Sequence, residues 1–303
     1  MDFYFSRFEH RRPPEPLTTP RWVMFTWQVL AVAALILGAN YIYWRWTASL
    51  NTDALWYAIP LVLAETLAWI GTVLFTINLW KEQDPPQSPP PVEINECLSP
   101  EEAVEPRPVK VDLFIATYSE DTELVRLSIR DALKMTYPFP IDYRIHVLDD
   151  GRRPEMKAVC EEEGVNYITR QTNIGFKAGN LRNGLEQTDG DFIVICDADT
   201  RVFPTLLSHT LGYFRDPDVA WVQTPQWFFD LPEGENLSRW GQRKAGKMGY
   251  GLGWLIQKCV GPITIGRDPF FNDPRMFYDV ILRRRNWANA AFCCGAASIH
   301  RRE

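Results

Sequence analysis

The sequence predicts an α/β fold with a mostly parallel sheet, preceded by two helices long enough to cross a membrane. Three observations carry this. Short β-branched runs alternate with helical periodicity after residue 110; two apolar stretches fill most of residues 22–80; a proline- and glutamate-rich segment lies between. Strands alternating with helices favour a parallel sheet covered on both faces.

Residues 1–20 read as a polar tail. From Trp22 to Trp44, 23 residues carry no charge, and at 1.5 Å per residue they reach roughly 34 Å, enough for the hydrocarbon core of a bilayer. Arg21 and Arg45 close this stretch, with Trp22, Tyr41, Tyr43, Trp44 and Trp46 where interfacial aromatics sit. The second stretch, Ala54–Trp80, holds a single charge, Glu65, which needs a neighbouring helix or a proton. A buried soluble helix is the alternative for each stretch. A cleavable signal peptide fits poorly, because the first run exceeds the usual apolar core of such a signal. Arg7, Arg11, Arg12 and Arg21 precede the first span, whereas Arg45–Asp53 holds one arginine. That asymmetry places the N-terminus in the cytoplasm, with residues 21–81 as a transmembrane hairpin and the lipid bilayer as a partner.

Residues 82–110 read as a tether. Lys81–Lys110 contain eight prolines, among them Pro85-Pro86 and Pro89-Pro90-Pro91, together with Glu93, Glu96, Glu101, Glu102 and Glu105. Such a composition is stiff and extended, and buries no core. The chemistry is expected in residues 111–303. There Val111–Tyr118 reads as a strand, followed by a helix with Ser119 as its N-cap and Leu124, Val125, Ile129, Ala132 and Leu133 at helical spacing. Tyr143–Asp150, Asn166–Arg170, Asp191–Asp199 and Val219–Gln226 read as further strands. Helices are expected near Pro154–Glu163 and across Lys177–Thr188.

A net charge of −6 argues against nucleic acid as a partner. Six cysteines and four histidines show no zinc-ligand spacing, so reduced thiols are expected rather than a metal or disulfide framework. No phosphate-binding P-loop pattern is present, and Gly249–Gly253 does not form a dinucleotide fingerprint.

The informative residues end the strands. Asp149-Asp150 and Asp197-Ala198-Asp199 follow apolar runs, and in parallel sheets ligands bind beyond the carboxyl ends of the strands. Along extended backbone residues i and i+2 point the same way, so Asp197 and Asp199 are expected to converge on one cation. Hard oxygen ligands suit Mg2+ or Mn2+. The alternative for such a triplet is a turn or helix cap. Lys177 near a helix start is placed to meet a diphosphate; its alternative is a solvated lysine.

With these pieces in order, the chain resembles the processive glycosyltransferase family 2 enzymes, bacterial cellulose synthase catalytic subunits above all. The resemblance lies in "ATYSED", "HVLDDGRR", "YITR…NIGFKAGNLRNGL", "DFIVICDAD", "VQTPQWFF" and "NAAFCCGAASIHRRE". It implies a GT-A fold and an inverting transfer of glucose from UDP-glucose to a β-1,4-glucan acceptor, with Mg2+ or Mn2+, at the cytoplasmic face of a bacterial inner membrane. Thr117, Tyr118 and Glu120 match positions that contact uridine, Asp149 and Asp150 the first acidic pair, Lys177 a diphosphate-contacting lysine, and Asp197 and Asp199 the metal-binding DxD. Gln223, Thr224 and Pro225 match the QTP segment, and Phe292, Cys293, Cys294 and Gly295 an FFCG-like motif at the acceptor end, with Cys293 replacing the second Phe.

The resemblance also implies a Thr-Glu-Asp base and a QxxRW segment after Glu303, so these residues are expected to bind donor without polymerising. The "NLSRW" of Asn236–Trp240 precedes the FCG motif and lacks the Gln, which makes it a coincidence. Two alternatives remain: a related synthase making a β-1,3-glucan or mannan, or a non-catalytic nucleotide-sugar-binding subunit of a synthase complex.

Overall fold

The computed structural model describes residues 3–83, 86–230, 235–260, 263–265 and 275–302. Pro85 of the proline-rich stretch and Glu303 lie outside the described residues. The chain forms two compact units, Met1–Met24 with Gln226–Ile281, and Phe25–Pro225 with Leu282–Glu303.

The two apolar stretches are helices α1 (Arg21–Thr47) and α2 (Leu55–Asn78). They run antiparallel: Gln28 Nε2 donates to the Trp80 carbonyl, and Trp46 Nε1 to Thr66 Oγ1. Glu65 is not left alone. Arg45 reaches it from α1 with Nε 2.6 Å from the carboxylate, and also donates to Ser49 Oγ. Pairing across the hairpin removes the isolated charge that made an apolar environment costly for the second stretch.

After the proline-rich stretch come β1 (Val109–Thr117), α3 (Thr122–Ala132), β2 (Ile141–Asp149), α4 (Pro154–Glu163) and β3 (Asn166–Ile168). They are followed by α5 (Phe176–Glu186), β4 (Phe192–Asp197), α6 (Leu206–Thr210) and β5 (Trp221–Gln223). Beyond Pro225 lie β6 (Glu235–Asn236), α7 (Leu237–Val260), β7 (Thr264–Ile265), α8 (Arg283–Arg285) and β8 (Ser298–Arg301). The main sheet has the order β3-β2-β1-β4-β8-β5. β3, β2, β1 and β4 are mutually parallel, while β8 is antiparallel to both β4 and β5. This is a GT-A-like α/β fold with a mostly parallel sheet.

Both faces of the sheet are covered. Leu113, Ile115, Val147 and Val194 pack with Val125, Ile129 and Met156 from α3 and α4. Phe114, Leu148, Ile168 and Ile193 form a second cluster against Leu181 of α5. Burial of successive residues on β1 follows from this double cover, whereas a one-sided sheet would alternate. Each fully buried Leu, Ile or Phe contributes roughly 1.5–3 kcal/mol.

Four expectations change. The tether is not free throughout: Ile94 and Cys97 are buried in the main core, Arg215 pairs with Glu96 at 2.5 Å, and Tyr137 Oη donates to the Pro91 carbonyl. Its few apolar side chains suffice once a folded surface is there to receive them. Helix α3 is capped by Asp121, whose carboxylate accepts from the Glu123 amide, and not by Ser119. The strand Val219–Gln226 shortens to three residues and is separated from β4 by β8. Residues 226–281 belong with the N-terminal residues in the other unit.

In that unit β6 and β7 pair antiparallel, and Arg11 donates to the Phe229 carbonyl. Helix α7 breaks at Ala245–Gly246. It contains Gly249–Gly253, so that segment forms no nucleotide-binding loop.

Candidate active site

The strand order reverses between β1 and β4, the place where open α/β sheets bind ligands. A cleft of about 570 Å3 opens there, and its lining includes Thr117, Tyr118, Glu120, Asp150, Lys177, Asp197 and Asp199. Seven sequence-predicted residues from four segments thus meet in one cavity.

Beyond β1 the chain turns tightly around Glu120. Its carboxylate accepts from Thr117 Oγ1 at 2.8 Å, the Tyr118 amide at 2.7 Å and the Ser119 amide at 3.1 Å. Burial raises the Glu120 pKa, but these hydrogen bonds outweigh it and hold the carboxyl below its ordinary 4.5. The Tyr118 ring stays exposed at the cleft.

The acidic pair ending β2 divides. Asp149 does not line the cleft: it is fully buried and accepts from the Gly151 and Arg153 amides, the Arg153 guanidinium and Tyr167 Oη. These bonds anchor Asp149 at the end of β2. Asp150 faces the cleft and is gripped by Arg170 through two bonds of 2.6 Å each. Burial opposes the charge on Arg170, but the hydrogen bond to Asp150, the larger effect, raises its pKa. Arg170 also donates to the carbonyls of Ile174 at 2.6 Å and Phe176 at 2.8 Å. One guanidinium therefore ties the end of β2 to the start of α5.

At that start Gly175 adopts φ +78°, where glycine is favoured. Gly179 is needed for room: a Cβ there would lie 2.1 Å from the Ile174 carbonyl oxygen and 2.5 Å from Arg170 Nη1. Lys177, in the first turn, pairs with Asp197 and donates to the Gly295 carbonyl at 2.8 Å. Asn180, one turn further, also lines the cleft.

The expectation for Asp197 and Asp199 changes in its geometry. β4 ends at Asp197, and the chain turns at once, with the Thr200 amide donating to the Asp197 carbonyl. Strand alternation therefore does not align the two carboxylates; a turn held by Ser128 Oγ on the Ala198 carbonyl brings both to the cleft. Among the described residues no three acidic, His or Cys groups cluster to hold a metal. Two carboxylates still fit Mg2+ or Mn2+, which keep waters and take phosphate oxygens.

The expected acceptor residues lie outside this cleft. Gln223 Nε2 donates to the Ala296 carbonyl and its Oε1 accepts from the Cys294 amide, while Thr224 Oγ1 donates to the Ala297 carbonyl. These two side chains hold the loop that carries Phe292, Cys293, Cys294 and Gly295. The exposed Cys293 thiol lies 3.7 Å from His300 Nε2. Pro225 follows this clamp and has no side-chain donor. The loop touches the cleft through Lys177 and Gly295.

Sequence reasoning named neither Arg170 nor Asn180. Asn180 stands three residues after Lys177, which helical spacing places on the same face. Arg170 carried no comparable signal, since nothing local joins it to an aspartate 20 residues earlier.

Residues 112–303 match the model of the glycosyl transferase family 2 family. The chain belongs to that family. Bacterial cellulose synthase catalytic subunits are similar over most of this member's length. The "Cellulose synthase catalytic subunit [UDP-forming]" of Pseudomonas fluorescens (strain SBW25) is 33% identical over 280 residues, 90% of this chain and 32% of that protein. "Cellulose synthase 1" of Komagataeibacter xylinus is 33% identical over 278 residues, 90% of this chain and 15% of that protein. The chain thus spans about a third or less of the relatives it matches. Among solved structures, a Pyrobaculum calidifontis mannosyltransferase in complex with GDP-Man and Mn2+ aligns with a TM-score of 0.39 and 16% identity, covering 67% of this chain and 48% of that one.

Proposed function

We propose that this family member binds a UDP-sugar, UDP-glucose by preference, in the cleft between β1 and β4, as the donor site of a membrane-embedded processive β-glucan synthase. The convergence of Thr117, Tyr118, Glu120, Asp150, Lys177, Asp197 and Asp199 on one cavity carries this reading. The nucleoside belongs at the β1 and β2 side, where Tyr118 offers an exposed ring. The diphosphate belongs near Lys177, Asp197 and Asp199.

Asp197 and Asp199 would hold a divalent cation, which supplies neutralisation of the charge that develops on a leaving nucleoside diphosphate. Lys177 supports the same charge from the first turn of α5, where backbone amides also favour an anion. In this reading the Lys177–Asp197 pair opens when donor binds, and the ammonium turns from the carboxylate to the phosphates. The acceptor hydroxyl attacks the anomeric carbon in line, and a carboxylate base takes its proton. The Gln223–Thr224 clamp keeps the 292–295 loop beside the donor.

Helices α1 and α2 support the membrane assignment. The spans Arg21–Thr47 and Thr52–Asn78, which contain them, have mean hydropathies of 1.9 and 1.8, with 0% and 11% of the apolar window buried. Apolar side chains such as Leu37, Leu67 and Leu74 face outward, which suits lipid. Arginines before α1 support a cytoplasmic N-terminus and a cytoplasmic catalytic unit.

The test is UDP binding by calorimetry on the full 303-residue chain in detergent, with Mg2+ or Mn2+, against Asp197→Ala/Asp199→Ala. Metal-dependent binding that the folded variant loses is expected. Equal binding by the two proteins refutes the site.

A further inference from the structure

Helix α7 is a hairpin rather than a rod. It breaks at Ala245–Gly246, where Gly246 takes φ +60°, and its two arms lie against each other through small residues. A Cβ on Gly249 would sit 2.0 Å from the Gly241 carbonyl oxygen, and one on Gly253 would sit 2.8 Å from the Leu237 carbonyl oxygen. Four residues further on, Gln257 Oε1 accepts from the Ser238 amide at 3.1 Å and from Ser238 Oγ at 2.5 Å. Residues 249, 253 and 257 therefore mark the inward face of the second arm.

The stripe beside that face is apolar and uncovered. Met248, Leu252 and Leu255 follow helical spacing and are 86%, 62% and 53% exposed, with Ile256 exposed next to them. Residues 248–257 carry no charge. The flanks are cationic: Leu237–Val260 holds Arg239, Arg243, Lys244, Lys247 and Lys258 and no acid, in a chain whose net charge is −6. Arg243 pairs with Glu235 at 2.5 Å, while the other four have no acidic partner among the described residues. Lys258 Nζ lies 4.9 Å from the centre of the exposed Trp254 ring, and such a pair suits a boundary between apolar and aqueous phases.

Chain continuity brings this surface to a bilayer. The unit that holds α7 also contains residues 21–24, the first turn of α1. Within that unit the Leu17 amide donates to Asp279 Oδ2 at 2.8 Å, four residues before α1 begins, and four extended residues reach at most about 14 Å. An anionic lipid surface matches both the apolar stripe and its cationic flanks. An acidic protein surface would meet the charges too, but a bilayer is already fixed beside this unit by the chain itself. The second arm, residues 247–260, reaches only about 21 Å and is too short to cross.

We infer that α7 is an interfacial hairpin whose Met248, Leu252 and Leu255 enter the boundary between headgroups and acyl chains, while Arg239, Lys244, Lys247 and Lys258 meet anionic lipid headgroups. This rests on the reading of α1 and α2 as membrane spans. It gives the unit a hold on the membrane besides α1, lying in the plane of the bilayer and set by the charge of the lipid.

The experiment places the full chain in nanodiscs, one copy in each, so that lipid and not a second copy is read. Cys259→Ser, Cys293→Ser and Cys294→Ser remove the accessible thiols, and a fluorophore is attached at Leu252→Cys on the stripe, Leu37→Cys within α1 or Glu161→Cys on the exposed side of α4. Nitroxide lipids quench it from a shallow or a deep acyl position. In discs of phosphatidylcholine and phosphatidylglycerol, the shallow quencher is expected to dim position 252 several-fold more than position 161, and the deep quencher to dim position 37. Omitting phosphatidylglycerol, or introducing Lys244→Gln/Lys247→Gln/Lys258→Gln, is expected to lower quenching at 252 and leave that at 37 unchanged. Thermal unfolding checks that each variant is folded. Quenching at 252 no greater than at 161, or quenching that ignores lipid charge, overturns the inference while the spans stand. A folded chain without deep quenching at 37 overturns the spans and this inference with them.

Discussion

Replacing Arg170 with alanine tests how the site is held together. The wild-type pair is two-pronged, with both bonds at 2.6 Å and side-chain exposures of 10% for Arg170 and 8% for Asp150. Truncating the guanidinium leaves Asp150 nearly buried without its counter-charge, which costs about 3–5 kcal/mol. The carbonyls of Ile174 and Phe176 lose their donor in the same step. Residual exposure lets water reach the carboxylate, so the lower end, about 3 kcal/mol, is expected. For a folded unit of 150–250 residues that lowers Tm by roughly 6–12 °C. Thermal unfolding of the full chain in detergent, followed by intrinsic fluorescence near neutral pH, reads it directly. Arg170→Lys keeps the charge but not the fork, and is expected to fall between. In the double variant Asp150→Asn/Arg170→Ala the two losses should be clearly less than additive, because the residues share one interaction. A shift below about 2 °C for Arg170→Ala refutes the argument that this pair fastens β2 to α5.

The remaining predictions concern the same framework. Gly179→Ala places a methyl against the Ile174 carbonyl and Arg170, and a loss of about 1–3 kcal/mol is expected from calorimetric unfolding. Glu120 has a folded-state pKa below its ordinary 4.5, so its contribution is complete above that pH and fades as pH falls through the folded value. A Tm-against-pH series should show a shallower acid limb in Glu120→Gln, and identical limbs would remove Glu120 from the account. UDP binding by the Asp197→Ala/Asp199→Ala variant completes the set.

Local chemistry made much of the architecture legible in the sequence. Apolar length marks α1 and α2, β-branched runs mark β1, β2 and β4, and helical spacing marks α3, α4 and α5. Aspartates that follow buried strands emerge at the ligand-binding edge, which is why Asp150, Asp197 and Asp199 could be named from position alone. Four strands in parallel follow from the alternation of strand and helix within short spans of chain.

Tertiary structure decided the rest, because it depends on partners distant in sequence. Asp149 and Asp150 are adjacent and chemically identical. Arg153 and Tyr167 draw one inward, and Arg170 holds the other at the cleft. β8 has only four residues and little apolar character, so it forms only when β4 and β5 flank it on both sides. Ile94 and Cys97 lie in a proline-rich segment whose composition gives no hint of a core until the folded unit supplies one. Sequence determined which groups reach the edge of the sheet; the packing of chain ends far apart in sequence decided which of them remain free to meet a ligand.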